Sequence, residues 1–119
     1  MSSKTEKRRT GDRGERRAAL WLFLHGYRIL ARNYTFGRNE IDIIAKKGRV
    51  TAFIEVKTRG SALTDAPRSA VSLTKQRNII SAAKHWRLEH DASDTVLRYD
   101  IAEVPLKGRI NYIPNAFTE

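Results

Sequence analysis

The chain has 119 residues, enough for one domain and marginal for two, and its 40% hydrophobic fraction supplies a core without a cofactor to hold it. Twenty-three Lys and Arg against 13 Asp and Glu give a formal charge of +10, a field that attracts polyanions such as nucleic acid. The lack of cysteine excludes disulfides and thiolate metal sites, and with no signal-like or membrane-spanning apolar stretch the expected location is cytoplasmic.

Residues 1–11 carry Lys4, Lys7, Arg8 and Arg9 without apolar periodicity and read as a basic disordered arm; residues 12–119 read as one domain. From Asp12 to His25 an apolar run around Ala18, Leu20, Trp21, Leu22 and Phe23 predicts a helix closed by Gly26. Tyr27 to Tyr34 follows as a strand, with Phe36-Gly37-Arg38 as its turn. Glu40 to Ala45 and Val50 to Lys57 form a hairpin around Lys46-Lys47-Gly48-Arg49. Thr58 to Ala70, with Gly60, Ser61, Asp65 and Pro67, reads as a loop. Ser72 or Thr74 caps a second helix to about Glu89, whose apolar side is Ile79, Ile80, Ala83 and Trp86. Thr95 to Val104 alternates as a strand, and Arg109 to Ile113 adds a short edge strand before Pro114. This order, α-β-β-β-α-β with an added strand, implies an α+β fold with a mixed central sheet flanked by helices.

The hairpin carries the chemistry. Pairing residues that flank Lys47-Gly48 sets Lys46 against Arg49, Asp42 against Phe53 and Glu40 against Glu55. Alternation then places Glu40, Asp42, Glu55 and Lys57 on one face and Ile41, Ile43, Ala45, Val50, Ala52, Ile54 and Val56 on the other. Two opposed carboxylates repel unless something cationic joins them. Lys57 supplies one charge, and magnesium or manganese on Asp42 and Glu55 would supply two. Such an ion activates water and polarises a phosphodiester, while Lys57 stabilises charge on phosphoryl oxygen. The competing reading is a solvated face with a cross-strand ion pair.

Glu15 shares a helix face with Ala18, Ala19 and Leu22 and so points towards the core side, but Asp12-Arg13-Gly14-Glu15 equally has the spacing of a capping box. Lys75 opens the second helix on the face of Ile79, Ala82 and Trp86, where it is either a phosphate contact or an exposed lysine. His25, His85 and His90 lack metal-site spacing. The basic residues Arg59, Arg68, Lys75 and Arg77 can surround the carboxylates as a rim over which a nucleic-acid backbone would lie. Two facing rims suit a symmetric junction, so weak or substrate-induced homodimers are expected. A non-catalytic nucleic-acid-binding module, or an adaptor for an acidic protein, would use the same basic surface without cleavage.

Gly14-Glu15, Asn39-Glu40-Ile41-Asp42, Phe53-Ile54-Glu55-Val56-Lys57-Thr58-Arg59, Lys75, Arg98-Tyr99-Asp100 and Asn115-Ala116-Phe117 together resemble the bacterial YraN-like group of endonuclease-related proteins, itself similar to archaeal Holliday junction resolvases. The resemblance spans Gly11 to Phe117. It implies a restriction-endonuclease-like fold and an endonuclease acting on DNA, with Asp42 and Glu55 as metal carboxylates, Lys57 as the catalytic lysine, Glu15 as an assisting helix carboxylate and Lys75 as a phosphate contact. The group usually has glycine where this chain has Asn39, and asparagine tolerates a left-handed backbone there.

Overall fold

The segments Ile41-Asp42-Ile43-Ile44-Ala45 and Thr51-Ala52-Phe53-Ile54 are apolar at nearly every position, the pattern of strands covered on both faces. The computed structural model describes residues 2–59 and 71–119, with residues 2–11 described by backbone alone, and bears this out. Its elements are α1 (Ser2–Leu24), β1 (Arg28–Phe36), β2 (Asn39–Lys47), β3 (Val50–Arg59), α2 (Leu73–Glu89), β4 (Val96–Pro105) and β5 (Asn111–Phe117). The five strands form one mixed sheet in the order β1-β2-β3-β4-β5, antiparallel except for the parallel β3–β4 pair. The architecture is α+β, with the expected element order and β5 added at the edge.

Each sheet face has its own core. Ala18 and Leu22 of α1 pack with Ile43, Ala45, Ala52, Ile54, Ala102 and Val104. Ile79, Ala82, Ala83 and Trp86 of α2 pack with Ile41, Ile44, Phe53, Tyr99 and Phe117. The expectation of one charged and one uniformly apolar hairpin face is therefore corrected: α2 covers part of the face that carries Glu55 and Lys57. Ile41 is also corrected. It joins the α2 core, away from Ile43; the strand beside it is irregular, with a register shift between Ile29 and Ala31 and a left-handed residue, Asn33, with φ of 54°.

The hairpin register differs from expectation as well. Lys47 pairs with Val50 and Ile44 with Phe53, so the two-residue turn is Gly48-Arg49. Gly48 has φ of 60°, which suits the first position of a turn with glycine leading. The shift is by two residues, which preserves the faces but removes the Glu40–Glu55 opposition. Asp42 takes that place, next to the last laddered pair, Ile43 with Ile54.

Helix α1 begins at Ser2 and not at Asp12, which places Glu15 inside the helix and removes the capping-box reading. Thr58 and Arg59 belong to β3 and not to a loop; the rest of the expected loop, with Arg68, lies outside the described residues. Strand β5 continues through Pro114, which an edge position tolerates. Ser72 caps α2, its Oγ accepting the Lys75 N–H at 3.1 Å.

A carboxylate and lysine site where two strands part

Beyond Ile43 and Ile54 the β2–β3 ladder ends, and the Asp42 side chain takes over its role. The Val56 N–H donates to Asp42 Oδ2 at 2.8 Å. This bond fixes the carboxylate beside Glu55. Burial, and next the Glu55 charge, push the Asp42 carboxyl up from 3.8 to about 8; the Val56 N–H opposes the rise, while Glu15 and Glu40 add to it. Three further carboxylates thus act on Asp42, Glu55 foremost.

Glu55 is the less satisfied of the pair. It is buried at the sheet, and its Oε1 has no hydrogen-bond partner among the described residues. Its Oε2 lies 3.6 Å from Lys57 Nζ and 3.8 Å from Lys75 Nζ, ion-pair separations too long for hydrogen bonds. A buried carboxylate with no hydrogen bond is costly, and an unmet oxygen at such a place is what an incoming cation would use. Among the described residues no three His, Cys, Asp or Glu form a ready-made metal cage. The available donor set is two adjacent, largely buried carboxylates, which suits magnesium, an ion that takes one or two carboxylates and fills its other positions with water.

Glu15 reaches the site from α1, where its Oε1 meets Arg32 Nη2 at 3.2 Å. Gly14 makes this approach feasible: a Cβ there would lie 2.6 Å from Thr58 Oγ1, so its absence lets α1 close on β3. Lys75 lies at the start of α2 with its ammonium at Glu55, so the helix end does abut the hairpin. Arg59 Nη2 sits 3.6 Å from Glu103 Oε2, and Glu103 is fixed by Asn111 at 2.8 Å. Arg77 is exposed on α2, and the side chains of Arg8 and Arg9 lie outside the described ones. Glu40 is exposed and pairs across to Thr35. Asn39 needs no left-handed backbone; Gly37, with φ of 63°, makes the turn.

One group of residues was missed as a unit. Asp100, fully buried, accepts two bonds from Arg98 Nε and one from Arg98 Nη2 at 2.7 Å, together with bonds from the Tyr112 hydroxyl and the Asn115 N–H, the last at 2.8 Å. Arg98 also donates to the Tyr27 hydroxyl. Asn115 adopts φ of 53° to present its N–H. These bonds tie β4 to β5 and to the start of β1; Asp100 pairs with Ile54, beside Glu55 in register but on the other sheet face. An acidic residue in an apolar strand two positions after an arginine was the signal available in the sequence.

Among the described residues no helix is long and apolar enough to cross a membrane. The fold resembles that of Hjc, a Holliday junction resolvase of Archaeoglobus fulgidus, with a TM-score of 0.59, 20% identity, and coverage of 86% of this chain and 73% of that one. It is a restriction-endonuclease-like fold. A UPF0102 protein of Chlorobium phaeobacteroides is 47% identical over 98 residues, covering 82% of this chain and 77% of the relative. Another, from Caldicellulosiruptor saccharolyticus, is 39% identical over 116 residues, covering 93% and 98%. Residues 14–104 match the Uncharacterised protein family UPF0102, the YraN family, and the chain belongs to it.

Proposed function

We propose that the protein is a metal-dependent endonuclease of DNA, with magnesium or manganese held by Asp42 and Glu55 and with Lys57 as the catalytic lysine. The observation that carries this reading is Glu55, a buried carboxylate without a hydrogen bond, pressed against the raised carboxyl of Asp42. A site of structural ion pairs would satisfy these oxygens; this one leaves Glu55 Oε1 unmet. A bound divalent ion supplies positive charge, polarises the phosphodiester and acidifies water.

The chain's own residues do the rest. Val56 N–H sets the orientation of Asp42. Lys57 and Lys75 flank Glu55 and can meet the charge that gathers on phosphoryl oxygen. Glu15 is a positioning carboxylate, itself held by Arg32. Arg59, Arg68, Lys75 and Arg77 serve as phosphate contacts, with Arg59 exchanging Glu103 for the backbone. The fold neighbour is a Holliday junction resolvase, so four-way DNA is the first substrate to try, on a weak or substrate-induced homodimer.

The test is a panel of linear, flapped and four-way DNAs with magnesium or manganese, wild type beside Asp42→Ala. Cleavage by the wild type alone supports the reading. Binding to the panel without cleavage of any member would leave a non-catalytic binding module.

A further inference from the structure

Helix α2 lies over β1 and β2, and beside it on the same sheet face runs a groove above β4 and β5. The groove has a volume of about 600 Å³, within the range of small-ligand sites. Lys84 and Arg87 of α2 line one side, Leu97 and Tyr99 of β4 the floor, and Asn115 and Glu119 the other side. We propose that this groove is a second phosphate-binding site, apart from the carboxylate centre, which takes a backbone phosphate of a nucleic-acid strand.

Tyr99 is the first ground. The residue is 3% exposed, and its ring is stacked on Phe117 with centroids 5.4 Å apart, which fixes where the hydroxyl points. That hydroxyl is buried and has no hydrogen-bond partner among the described residues. Tyr99 lines the groove together with Arg87 and Glu119, the charges that act on its hydroxyl. A buried hydroxyl without a partner is unfavourable, and a ligand oxygen would satisfy it.

The second ground is the chemistry of the walls. Arg87 has no ion pair among the described residues, and Lys84 Nζ is held by Glu119 Oε1 at 3.0 Å. The Arg87 guanidinium, the Lys84 ammonium, the Tyr99 hydroxyl and the Asn115 side-chain amide are all donors, a set that suits an oxyanion. Glu119 is the one carboxylate lining the groove among the described residues, and a phosphate would compete with it for Lys84.

A nucleic-acid strand is favoured as the source by what continues from the groove. Arg77 and Lys84, seven residues apart, return to the same side of α2, with Arg87 one turn on. This basic stripe runs back to Arg77 in the first turns; Lys75 sits about half a turn round the helix from it, on the core-facing side, where it reaches Glu55, about 18 Å from Arg87 along the axis at about 1.5 Å per residue. A strand crossing the carboxylate site would pass round the start of α2 to meet the stripe and the groove.

The experiment is an NMR titration of the full chain in chelator, so that it is silent on cleavage and its failure is separable from failure of the endonuclease reading. The probes are a short oligothymidylate, thymidine 5′-monophosphate and inorganic phosphate. The expected result is saturable shifts of the Tyr99 ring and of the Leu97 and Asn115 amides with the oligonucleotide. Its affinity should weaken about tenfold in Arg87→Gln and several-fold in Tyr99→Phe, which keeps the packed ring, and stay unchanged in Arg109→Gln, an exposed control. Saturation by phosphate or the mononucleotide as tightly as by the strand would keep the phosphate site and assign it a free ligand, overturning the strand. Unsaturable shifts across the whole basic surface, or equal losses in Arg87→Gln and Arg109→Gln, would overturn the site itself.

Discussion

Asp42 Oδ2 accepts the Val56 N–H at 2.8 Å, a side chain standing in for the backbone at the point where the β2–β3 ladder stops. Two consequences can be separated by substitution. Asp42→Ala leaves the Val56 N–H without its partner and should lower stability by about 1–3 kcal/mol, the usual cost of a donor left unmet. Asp42→Asn keeps an acceptor and removes the repulsion with Glu55, so in chelator near pH 8 it should melt at or above the wild type. Thermal melts of the three proteins decide this; an Asn variant as unstable as the Ala variant would contradict it.

The raised Asp42 carboxyl makes stability depend on pH in a definite direction. Its folded value is about 8 against an ordinary 3.8, so between these values the folded protein holds a proton that the unfolded chain has released. Stability in chelator therefore falls as pH rises through that window. Urea unfolding of wild type and Asp42→Asn isolates the effect: the wild type should lose ground between about pH 5 and about pH 9 relative to the variant. A constant difference would mean that Asp42 titrates normally.

Cation binding must displace that proton, so magnesium or manganese affinity should weaken as pH falls below about 8. At a concentration about 100 times the dissociation constant, the ion should stabilise the fold by about 2.7 kcal/mol. Melts with and without the ion should show this in the wild type and not in Asp42→Ala or Glu55→Gln. An equal shift in all three would put the ion elsewhere.

Much of this site was legible because side-chain alternation has period two. Glu55 and Lys57 share a face whatever the register, and a shift of two residues keeps Asp42 across from that strand, so the shift from a Lys47-Gly48 turn to a Gly48-Arg49 turn leaves Asp42 opposite Glu55. The partner opposite Glu55 did not survive it, because alternation alone does not say which pair of residues forms the turn. The displacement of Ile41 to the α2 core, apart from Ile43, breaks the period of two, and no pattern within β2 records it. Arg98, Asp100 and Asn115 stood out as conspicuous residues, yet their joint role needed the β4–β5 pairing to bring Asn115 onto Asp100.

That Arg98–Asp100 pair should matter for folding and not for chemistry. Asp100 is fully buried, and its charge is balanced by Arg98 and by the N–H and O–H donors of Asn115 and Tyr112. Arg98→Met would strand the carboxylate and should cost about 3–5 kcal/mol, the range for breaking a buried pair. Denaturant unfolding measures it. A loss below about 1 kcal/mol, the level of a surface ion pair, would contradict the structural role.

Affinity for DNA should fall steeply with salt, because neutralised phosphates release counterions. Lys75→Ala and Arg59→Ala should flatten that dependence, each by about one phosphate contact, while Asp42→Ala should leave the slope unchanged. Titrations of labelled DNA at several salt concentrations test the rim. Binding indifferent to salt would favour an acidic protein as the partner.

The most direct test of the endonuclease is the single-turnover cleavage rate of four-way DNA with magnesium or manganese, for the wild type, Asp42→Asn, Glu55→Gln and Lys57→Met. Cleavage by the wild type that vanishes in chelator, and that falls by about 100-fold or more in each variant, is the expected result. Undiminished cleavage in Asp42→Asn and Glu55→Gln, or no cleavage by the wild type of this or any other DNA in the panel, would contradict it.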